Sequence, residues 1–584
     1  MPTLEWIGKN KVVNHHQEVP FRVLERQYSF DEQGQHTENN GSENMIIHGD
    51  NLEALKALLP QYEGKVKCIY IDPPYNTGNE GWCYNDNVSD PYIQKWLGEV
   101  VGKEGEDLTR HDKWLCMMYP RLMLLQKLLA DDGVIFISID DNELYNLKSI
   151  CDEIFGASCY VSDIAWQRTY STRNDSKGIV NEVEHILVYS KVPEWNPNKL
   201  PRTEEMNARY SNPDNDVCAW KSTDAFAPGA STHQGMVYAI QNPFTGVLLY
   251  PSNGRHWSLG KDQMFEIMSQ WGEYELREID DVQKRASICG VSEEQVKSSV
   301  KAIMLSDNLE NAAQKASAIY NRGQWPLFYF GQDGKGGIRR KTYLNTVGGR
   351  IPTNFWPFSE TGHTDEAKKE MLAIFDGKAT FDTPKPHRLI EFVLKVAGTQ
   401  DALILDSFAG SGTTAHAVLN MNKADGGHRK FILVEMGDYA DTITAERVKR
   451  VIMGYGEGKN AVEGTGGSFS YYELGEPLLL PNGNLNEKVG TVKIRDYIWY
   501  TETKKPLPDH KNSNPYFLGE NNSTAYYFFY EPQKVCVLNY DFVATIPEKA
   551  EGYIIYADRC TLSEQELQQL GITFKKIPRD IVRV

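Results

Sequence analysis

The chain has 584 residues, of which 41% are hydrophobic, and a formal net charge of −17. This length is enough to bury large cores and predicts roughly three or four domains in a globular protein. The negative charge argues against a protein that coats nucleic acid unspecifically, so a DNA-binding chain of this composition must gather its Lys and Arg residues in a cleft.

The cysteines and the N-terminal sequence exclude several other classes. The nine cysteines form no C-x-x-C pair and no even framework, so we expect neither disulfides nor a zinc site, and we predict no other metal site. The start of the chain lacks the basic flank and apolar core of a signal peptide, and no apolar run approaches the roughly 18 residues that span a bilayer. We therefore expect a cytoplasmic protein without membrane attachment.

Residues 1–44 are predicted to form an N-terminal arm that ends in a polar linker. Residues 45–50 then favour a short strand, and Asn51–Leu59 favours a helix stopped by Pro60. Asp50 and Asn51 lie where this strand ends and the helix begins, a position at which Asp and Asn commonly cap a helix.

The next apolar run, Cys68–Ile71, is typical of a buried parallel strand. It ends in Asp72, Pro73, Pro74 and Tyr75, where the two prolines prevent the strand from continuing. Open α/β sheets bind ligands at the carboxyl ends of their strands. A carboxylate, a carbonyl without a competing amide donor and a flat aromatic ring suit a planar ring with an exocyclic amino group. The alternative is a proline turn that only caps the strand.

Helices and strands alternate after this motif, as expected of a parallel sheet with helical connections. The polar stretch 76–105 between them is predicted to be a long loop and a candidate lid. The predicted elements are the helix Trp114–Ala130, the strand Gly133–Asp140, the helix Asn142–Phe155 and the strand Glu184–Tyr189.

The regular pattern stops at about residue 192, and residues 192–350 are predicted to be an inserted domain with helices at Lys261–Ser269 and Ser292–Leu305. Basic residues beside glycines suit phosphate contacts, and Arg can also read guanine edges. For each of them a solvated surface loop is an equally good interpretation. The candidate DNA contacts are Arg168, Arg173 and Lys177 before the insert, and Arg339, Arg340 and Lys341 near its end.

A second strand end follows in residues 351–455. The apolar run Ala402–Leu405 leads into a glycine-rich turn that opens a helix, and such a turn lets the backbone approach a ligand while the helix start offers free amides. No Lys precedes the Ser or Thr residues, so the loop is not of the phosphate-gripping type. Glu435 ends the next strand, where an acid typically binds ribose hydroxyls, although a surface acid remains an alternative. The candidate ligand contacts of the turn are Asp406, Phe408, Gly410, Gly412, Thr413 and Thr414.

Residues 456–467 form a glycine-rich connector, and residues 468–584 are predicted to be a small α/β or α+β domain without a catalytic constellation.

The Asp-Pro-Pro-Tyr motif together with the Phe-Ala-Gly-Ser-Gly turn resembles the S-adenosylmethionine-dependent amino methyltransferases of DNA, and the Asp in first place resembles the adenine-N6 enzymes more than the cytosine-N4 ones. The catalytic motif precedes the cofactor turn, which is the permuted order of the β class. The chain is also similar to the modification subunits of type III restriction-modification systems, through residues 4–9, 48–55, 119–122 and 383–390.

This resemblance implies an α/β fold, namely a permuted Rossmann-like methyltransferase sheet made of residues 45–191 and 351–455, with residues 192–350 as target-recognition insert and 468–584 as assembly domain. It implies S-adenosylmethionine as cofactor, with Asp50 and Asn51 near its adenine and Lys385 near its methionine end. It also implies double-stranded DNA as substrate, a homodimer and a separate restriction subunit.

For the reaction, we expect Asp72 and the Pro73 carbonyl to accept the two N–H groups of adenine N6, and so to aim its lone pair at the sulfonium methyl. The base must first be flipped out of the duplex, with Tyr75 as its stacking partner. The alternatives are a stand-alone or type II adenine enzyme, a cytosine-N4, RNA or protein-amide methyltransferase, and a DNA-reading subunit without catalysis.

Overall fold

The structure, a computed structural model, describes residues 3–76, 107–170, 179–508, 514–547 and 549–579. Of the predicted lid at 76–105, residues 77–105 lie outside the described residues. The chain divides into two compact units. We call them the sheet unit, which combines Met1–Asn198 with Pro352–Val584, and the insert unit, which is Lys199–Ile351.

An 11-stranded mixed sheet organises the sheet unit. Its order is β8-β6-β7-β5-β4-β9-β10-β3-β11-β1-β2, and the central run from β5 to β11 is parallel throughout. The α/β class that the sequence predicts is therefore confirmed. In chain order the strands are β1 (Arg22–Asp31), β2 (Gly34–His36), β3 (Met45–His48), β4 (Val66–Ile71), β5 (Leu129–Ile139), β6 (Tyr160–Gln167), β7 (Val183–Ser190), β8 (Phe355–Trp356), β9 (Leu403–Asp406), β10 (Lys430–Glu435) and β11 (Ser468–Pro477).

The two motifs singled out in the sequence end neighbouring strands of this sheet. β4 and β9 are parallel partners, with Ile404 opposite Cys68 and Leu405 opposite Ile69. Both strands are apolar and buried, because helices cover the two faces of the sheet. The Asp-Pro-Pro-Tyr motif and the glycine-rich turn therefore leave the sheet at the same edge, although more than 300 residues separate them in the chain.

The helices of the sheet unit carry their apolar residues toward the sheet. In α5 the buried positions recur at spacings of three and four, as in Leu389, Phe392, Val393 and Val396, which is the pattern of a helix packed on one face. The main helices are α1 (Asn51–Tyr62), α2 (Asp107–Leu128), α3 (Leu144–Cys151), α4 (Thr364–Ile374), α5 (His387–Ala397), α6 (Thr413–Asp425) and α7 (Glu446–Met453).

Both ends of the chain differ from the sequence-based boundaries. The predicted N-terminal arm contains β1 and β2, which form a hairpin at one edge of the main sheet. β11, which the sequence analysis placed with the C-terminal domain, pairs with β3 and β1 of the same sheet. The C-terminal region adds the helix Thr491–Thr503 and a separate four-stranded sheet of Phe517–Asn521, Thr524–Phe528, Gly552–Ala557 and Ile572–Lys576.

The insert unit is built from short strands around an aromatic core that includes Trp220, Trp257 and Trp271. The predicted helix Ser292–Leu305 is wrong, because only Glu293–Gln295 forms a helical turn and the apolar run Ala302–Leu305 is a strand. Its helices are Glu204–Asn207, Lys261–Met268, Val282–Cys289 and Leu309–Arg322, and its larger sheets contain Leu248–Leu249, Ile240–Gln241, Ala302–Leu305 and Tyr274–Arg277, and Phe328–Phe330, Ile338–Tyr343 and Trp220–Asp224.

In the described part of the chain no helix combines the length and the apolar character needed to cross a bilayer.

Candidate active site

The segment after β4 is held in place by side chains from α2 and from the N-cap position of α3. Trp114 donates its indole N–H to the Pro74 carbonyl at 2.7 Å. Asn76 has a left-handed backbone conformation with φ 60°, and its buried side-chain amide donates to Glu143. In the described residues the Pro73 carbonyl accepts no hydrogen bond, so it is available to a ligand.

Four polar side chains meet in front of this segment, and we call Asp72, Tyr75, Glu184 and Lys385 the Asp72 cluster. The ammonium group of Lys385 lies 2.8 Å from both carboxylate oxygens of Asp72 and 2.9 Å from the Tyr75 hydroxyl. The Tyr75 hydroxyl lies 2.9 Å from Asp72 and 3.1 Å from Glu184. Glu184 also pairs with Arg168 at 2.9 Å.

The electrostatics of the cluster follow from burial and from the balance of its two acids against Lys385 and the neighbouring Arg168. Burial raises the pKa of Asp72, and the neighbouring Lys385 ammonium opposes this rise. Burial also acts against the charge of Glu184, but Lys385 and Arg168 outweigh it and lower the Glu184 pKa. For Lys385, the carboxylates of Asp72 and Glu184 outweigh burial and raise its pKa. Lys385 is therefore firmly protonated and Glu184 firmly ionised.

The glycine-rich turn after β9 needs its glycines for two separate reasons. Gly410 and Gly412 have φ values of 51° and 82°, a region that residues with a side chain rarely adopt. A Cβ atom at Gly412 would also lie 2.9 Å from the Thr444 carbonyl oxygen. At Gly410 it would lie 3.2 Å from the Phe381 ring, so the two positions admit little beyond hydrogen.

Two acids shape this turn from within. Asp406 accepts hydrogen bonds from the Phe408 amide at 3.0 Å and from the Thr414 hydroxyl at 2.5 Å. Burial raises the pKa of Asp406 to about 7. Glu435 lies at the end of β10 and accepts from the Gly410 amide at 2.7 Å, which ties the turn to the next strand.

A fully buried arginine supports the same turn from behind. Arg447 of α7 donates to the hydroxyls of Ser411 at 2.9 Å and Thr413 at 2.8 Å. It also donates to Glu370 at 3.0 Å and to His416 at 3.1 Å. Burial lowers the pKa of His416 well below its usual value, so this imidazole is neutral and can accept the bond.

Lys385 connects the two halves of the site. Its side chain reaches Asp72, and its backbone carbonyl accepts a hydrogen bond of 3.3 Å from the Thr413 hydroxyl of the glycine-rich turn. Asp72, at the end of β4, and the glycine-rich turn after β9 therefore lie side by side, and Lys385 contacts both.

Comparison with known proteins identifies the family. A family model described as DNA methylase matches residues 66–446. The chain belongs to the DNA methylase family. The StyLTI Mod subunit of Salmonella typhimurium, a type III restriction-modification enzyme, is 32% identical over 71% of this chain and 58% of its own length.

Two further relatives support the assignment. The type III EcoPI Mod subunit of Escherichia phage P1 is 29% identical over 74% of this chain and 63% of its own length. The type II methyltransferase M.KpnI of Klebsiella pneumoniae is 29% identical over 67% of this chain and 80% of its own length. The chain therefore spans less than two thirds of the length of both Mod subunits.

Asp50 and Asn51 have structural partners in this chain. Asp50 caps α1, where its carboxylate accepts from the Leu52 and Glu53 amides. Asn51 is fully buried, donates to the Ser407 carbonyl at 3.1 Å and accepts from Arg121. The N-cap interpretation is confirmed for Asp50, and a contact with the cofactor stays a prediction for both residues.

The predicted DNA contacts fall into different environments. Arg168 pairs with Glu184 in the sheet unit, and Arg339 pairs with Asp224 at 2.7 Å in the insert unit while 40% of its side chain is exposed. Arg340 is half-buried, with its guanidinium 5.9 Å from the centre of the Phe328 ring. Arg173 and Lys177 lie outside the described residues.

The prediction that Lys341 contacts DNA is wrong. Its side chain is fully buried, and its ammonium group lies 2.5 Å from both Asp214 and Asp216. A DNA phosphate cannot reach it, because the group is already paired inside the core of the insert unit. Its spacing after Arg339 and Arg340 gave no warning, since the two acids lie more than 120 residues earlier in the chain.

Sequence reasoning also missed three residues that contact the site. The sequence analysis assigned Glu184 only to a strand and Trp114 only to a helix, and it did not single out Arg447. No local signal singles out Glu184 or Arg447, because each has other charged or polar residues as near neighbours in the sequence, and only burial in the fold distinguishes it from them.

Proposed function

We propose that this methylase transfers a methyl group from S-adenosylmethionine to N6 of a flipped adenine in double-stranded DNA. The observation that carries the proposal is the meeting of Asp72 and the glycine-rich turn at one sheet edge. The substrate base follows from the Asp in first place of the motif, which resembles the adenine-N6 enzymes.

The chemistry that the site offers is orientation and charge. The N6 lone pair is delocalised into the adenine ring, so the amine becomes nucleophilic when its two N–H groups are held by Asp72 and the Pro73 carbonyl. Acceptance of the methyl group would leave N6 with a positive charge until one of its protons passes to Asp72 or to water. The Asp72 carboxylate stabilises that charge, and Tyr75 offers a ring for stacking of the flipped base.

The residues of the glycine-rich turn and of the neighbouring strand end fit the binding of S-adenosylmethionine. When bound, S-adenosylmethionine would supply the activated methyl group. Glu435 has oxygen lone pairs left for ribose hydroxyls after accepting from Gly410 and Gly437. The Ser407 hydroxyl, buried directly after the neighbouring strand β9, has no hydrogen-bond partner in the described residues. The other predicted cofactor contacts of this turn remain candidates, namely Asp406, Phe408, Gly412, Thr413 and Thr414.

We propose the insert unit as the target-recognition domain and the C-terminal region as an assembly domain. Arg168, Arg173, Lys177, Arg339 and Arg340 remain candidate DNA contacts, whereas Lys341 is withdrawn. Arg168 and Arg339 are the better supported of these residues, because 43% and 40% of their side chains are exposed.

We also propose that the chain is the modification subunit of a type III system, acting in the cytoplasm as a homodimer with a separate restriction subunit. The two Mod subunit relatives support this assignment. M.KpnI, of which the chain spans 80%, supports a stand-alone type II enzyme as second candidate. Co-expression with neighbouring genes and co-purification of a helicase-nuclease subunit would decide for the first, and size-exclusion chromatography with light scattering would test the homodimer.

The central experiment uses Asp72→Ala with isotope-labelled cofactor and duplex DNA. We expect the variant to lose methyl transfer while cofactor affinity changes less than about threefold, because Asp72 touches the base rather than the turn. Transfer at the wild-type rate would remove Asp72 from the chemistry. Loss of both properties would show that the substitution unfolds the site, and Asp72→Asn, which keeps the side-chain shape, would then separate the two effects.

A further inference from the structure

The Lys385 ammonium occupies the place on Asp72 that the proposed reaction needs for the adenine amine. It donates to both Asp72 oxygens at 2.8 Å, and the Tyr75 hydroxyl approaches one of them at 2.9 Å. The arrangement resembles a substrate complex in which a protein amine stands in for the base amine. A base cannot bind Asp72 fully until Lys385 gives up at least one oxygen.

A second acid stands ready to receive the ammonium group. Glu184 Oε2 lies 3.5 Å from Lys385 Nζ, so a movement of about 0.7 Å would give this pair the 2.8 Å separation that Lys385 now has with Asp72. Glu184 is itself held by Arg168 and by the Tyr75 hydroxyl, and its side chain is only 8% exposed. Glu184 is therefore a fixed carboxylate that can accept the Lys385 ammonium group after a short movement.

Charge gives the movement a direction. N6 becomes positive during methyl transfer, and an ammonium group still bound to Asp72 would repel that charge and share its counter-ion. With Lys385 on Glu184, Asp72 is free to face the developing cation. With no base present, Lys385 on Asp72 keeps a buried carboxylate paired.

We propose that Lys385 is a placeholder for the target amine, and that Glu184 is a positioning residue that draws Lys385 away from Asp72 when the base enters. The inference rests on the proposed adenine methylation and adds to it a residue pair whose exchange prepares the site. No bond is made or broken in this step, since one ammonium group changes its carboxylate partner.

The test is a double-variant cycle on the full chain, with kcat for methyl transfer measured at pH 8.5. Glu184→Gln removes the receiving charge, so Lys385 stays on Asp72 and kcat falls about 10- to 100-fold. In Glu184→Gln with Lys385→Met the placeholder is also absent. We expect this double variant to be about tenfold faster than Glu184→Gln alone, because nothing then competes with the base for Asp72.

A purely structural ion pair gives the opposite result. If Lys385 and Glu184 only stabilise the fold, the double variant is no faster than Glu184→Gln, and that outcome overturns the proposal. Cofactor affinity and circular dichroism show whether each variant is folded. Matched controls are Glu182→Gln, two residues before Glu184, and Lys395→Met at an exposed position of the same helix as Lys385.

The pH profile tests whether Lys385 is paired with Asp72 in the enzyme before the base enters, which the proposal requires. Lys385 is the strongest influence opposing the burial-induced rise of the Asp72 pKa, so Lys385→Met moves the acid limb of kcat/KM to higher pH. An unmoved limb contradicts the proposal. The titratable groups that face Asp72 are Lys385, Glu184, Tyr75, Tyr70 and Asp406.

Failure of the inference and failure of the proposed function give different results. If the wild-type chain produces no N6-methyladenine, the proposed function fails and the cycle has no baseline. If the wild-type chain methylates adenine but the double variant stays as slow as Glu184→Gln, only the exchange between Asp72 and Glu184 is refuted.

Discussion

Replacing Arg447 by Met tests whether the glycine-rich turn is held from behind. The substitution keeps an unbranched apolar stem but removes four hydrogen bonds, to Ser411, Thr413, Glu370 and His416. Breaking a buried ion pair by deleting one partner costs about 3 to 5 kcal/mol, and here His387 would remain to pair with Glu370, which favours the lower end. We therefore expect a loss of about 3 kcal/mol in unfolding free energy.

The effect on ligand binding should be smaller but specific. Ser411 and Thr413 keep their mutual contact of 3.2 Å yet lose the donor that fixes both, so we expect cofactor affinity to fall about tenfold. Urea unfolding and isothermal titration with S-adenosylmethionine measure the two quantities. The matched control is Arg450→Met on the same helix, whose partners Asp376 and Glu446 are exposed, with an expected cost of about 1 kcal/mol or less. Equal behaviour of the two variants would refute the reasoning.

Three further predictions address single features. Gly412→Ala would place a Cβ atom 2.9 Å from the Thr444 carbonyl oxygen on a residue with φ 82°. We expect this variant to bind the cofactor more weakly and to lose about 1 to 2 kcal/mol of unfolding free energy. Unchanged cofactor titrations would show that the turn tolerates a side chain. Arg339→Ala should reduce the slope of DNA affinity against salt concentration by about one phosphate contact. Lys341→Met should leave this slope unchanged and lower the unfolding midpoint of the insert unit. The reverse pattern would restore Lys341 as a DNA contact. The pKa of Asp406 is raised from 3.8 to about 7, so the folded state holds a proton that the unfolded state releases, and the free energy of unfolding falls as the pH rises from 4 to 7. Over this window the stability of Asp406→Asn relative to the wild type should increase by up to about 4 kcal/mol in urea titrations. Parallel stability curves of the two proteins against pH would contradict this prediction.

The sheet and its two strand ends were predictable because their signals are local. Cys68–Ile71 and Ala402–Leu405 are apolar runs that lead into a pair of prolines and into a glycine-rich turn, and parallel strands place such ends at one edge. The predicted helix at Ser292–Leu305 failed for a related reason. Ser292 and Gln295 do form a capping box, which favours a helix start, but the following apolar residues gain more by pairing between strands.

The partners of buried charges could not be predicted, because they come from distant parts of the chain. Lys385 meets Asp72 across 313 residues, and Lys341 meets Asp214 across 127. No periodicity or motif records which acid a given Lys will meet. Burial therefore separates Lys341, which stabilises the insert unit, from the exposed Arg339 two residues earlier.

The most direct test of the whole account is to sequence modified bases in host DNA with and without this protein. The account predicts N6-methyladenine at one recurring sequence that disappears when the protein is removed and also when Asp72 is replaced by Ala. Methylation of cytosine N4 at that sequence, or adenine methylation that survives the Asp72→Ala change, would contradict it.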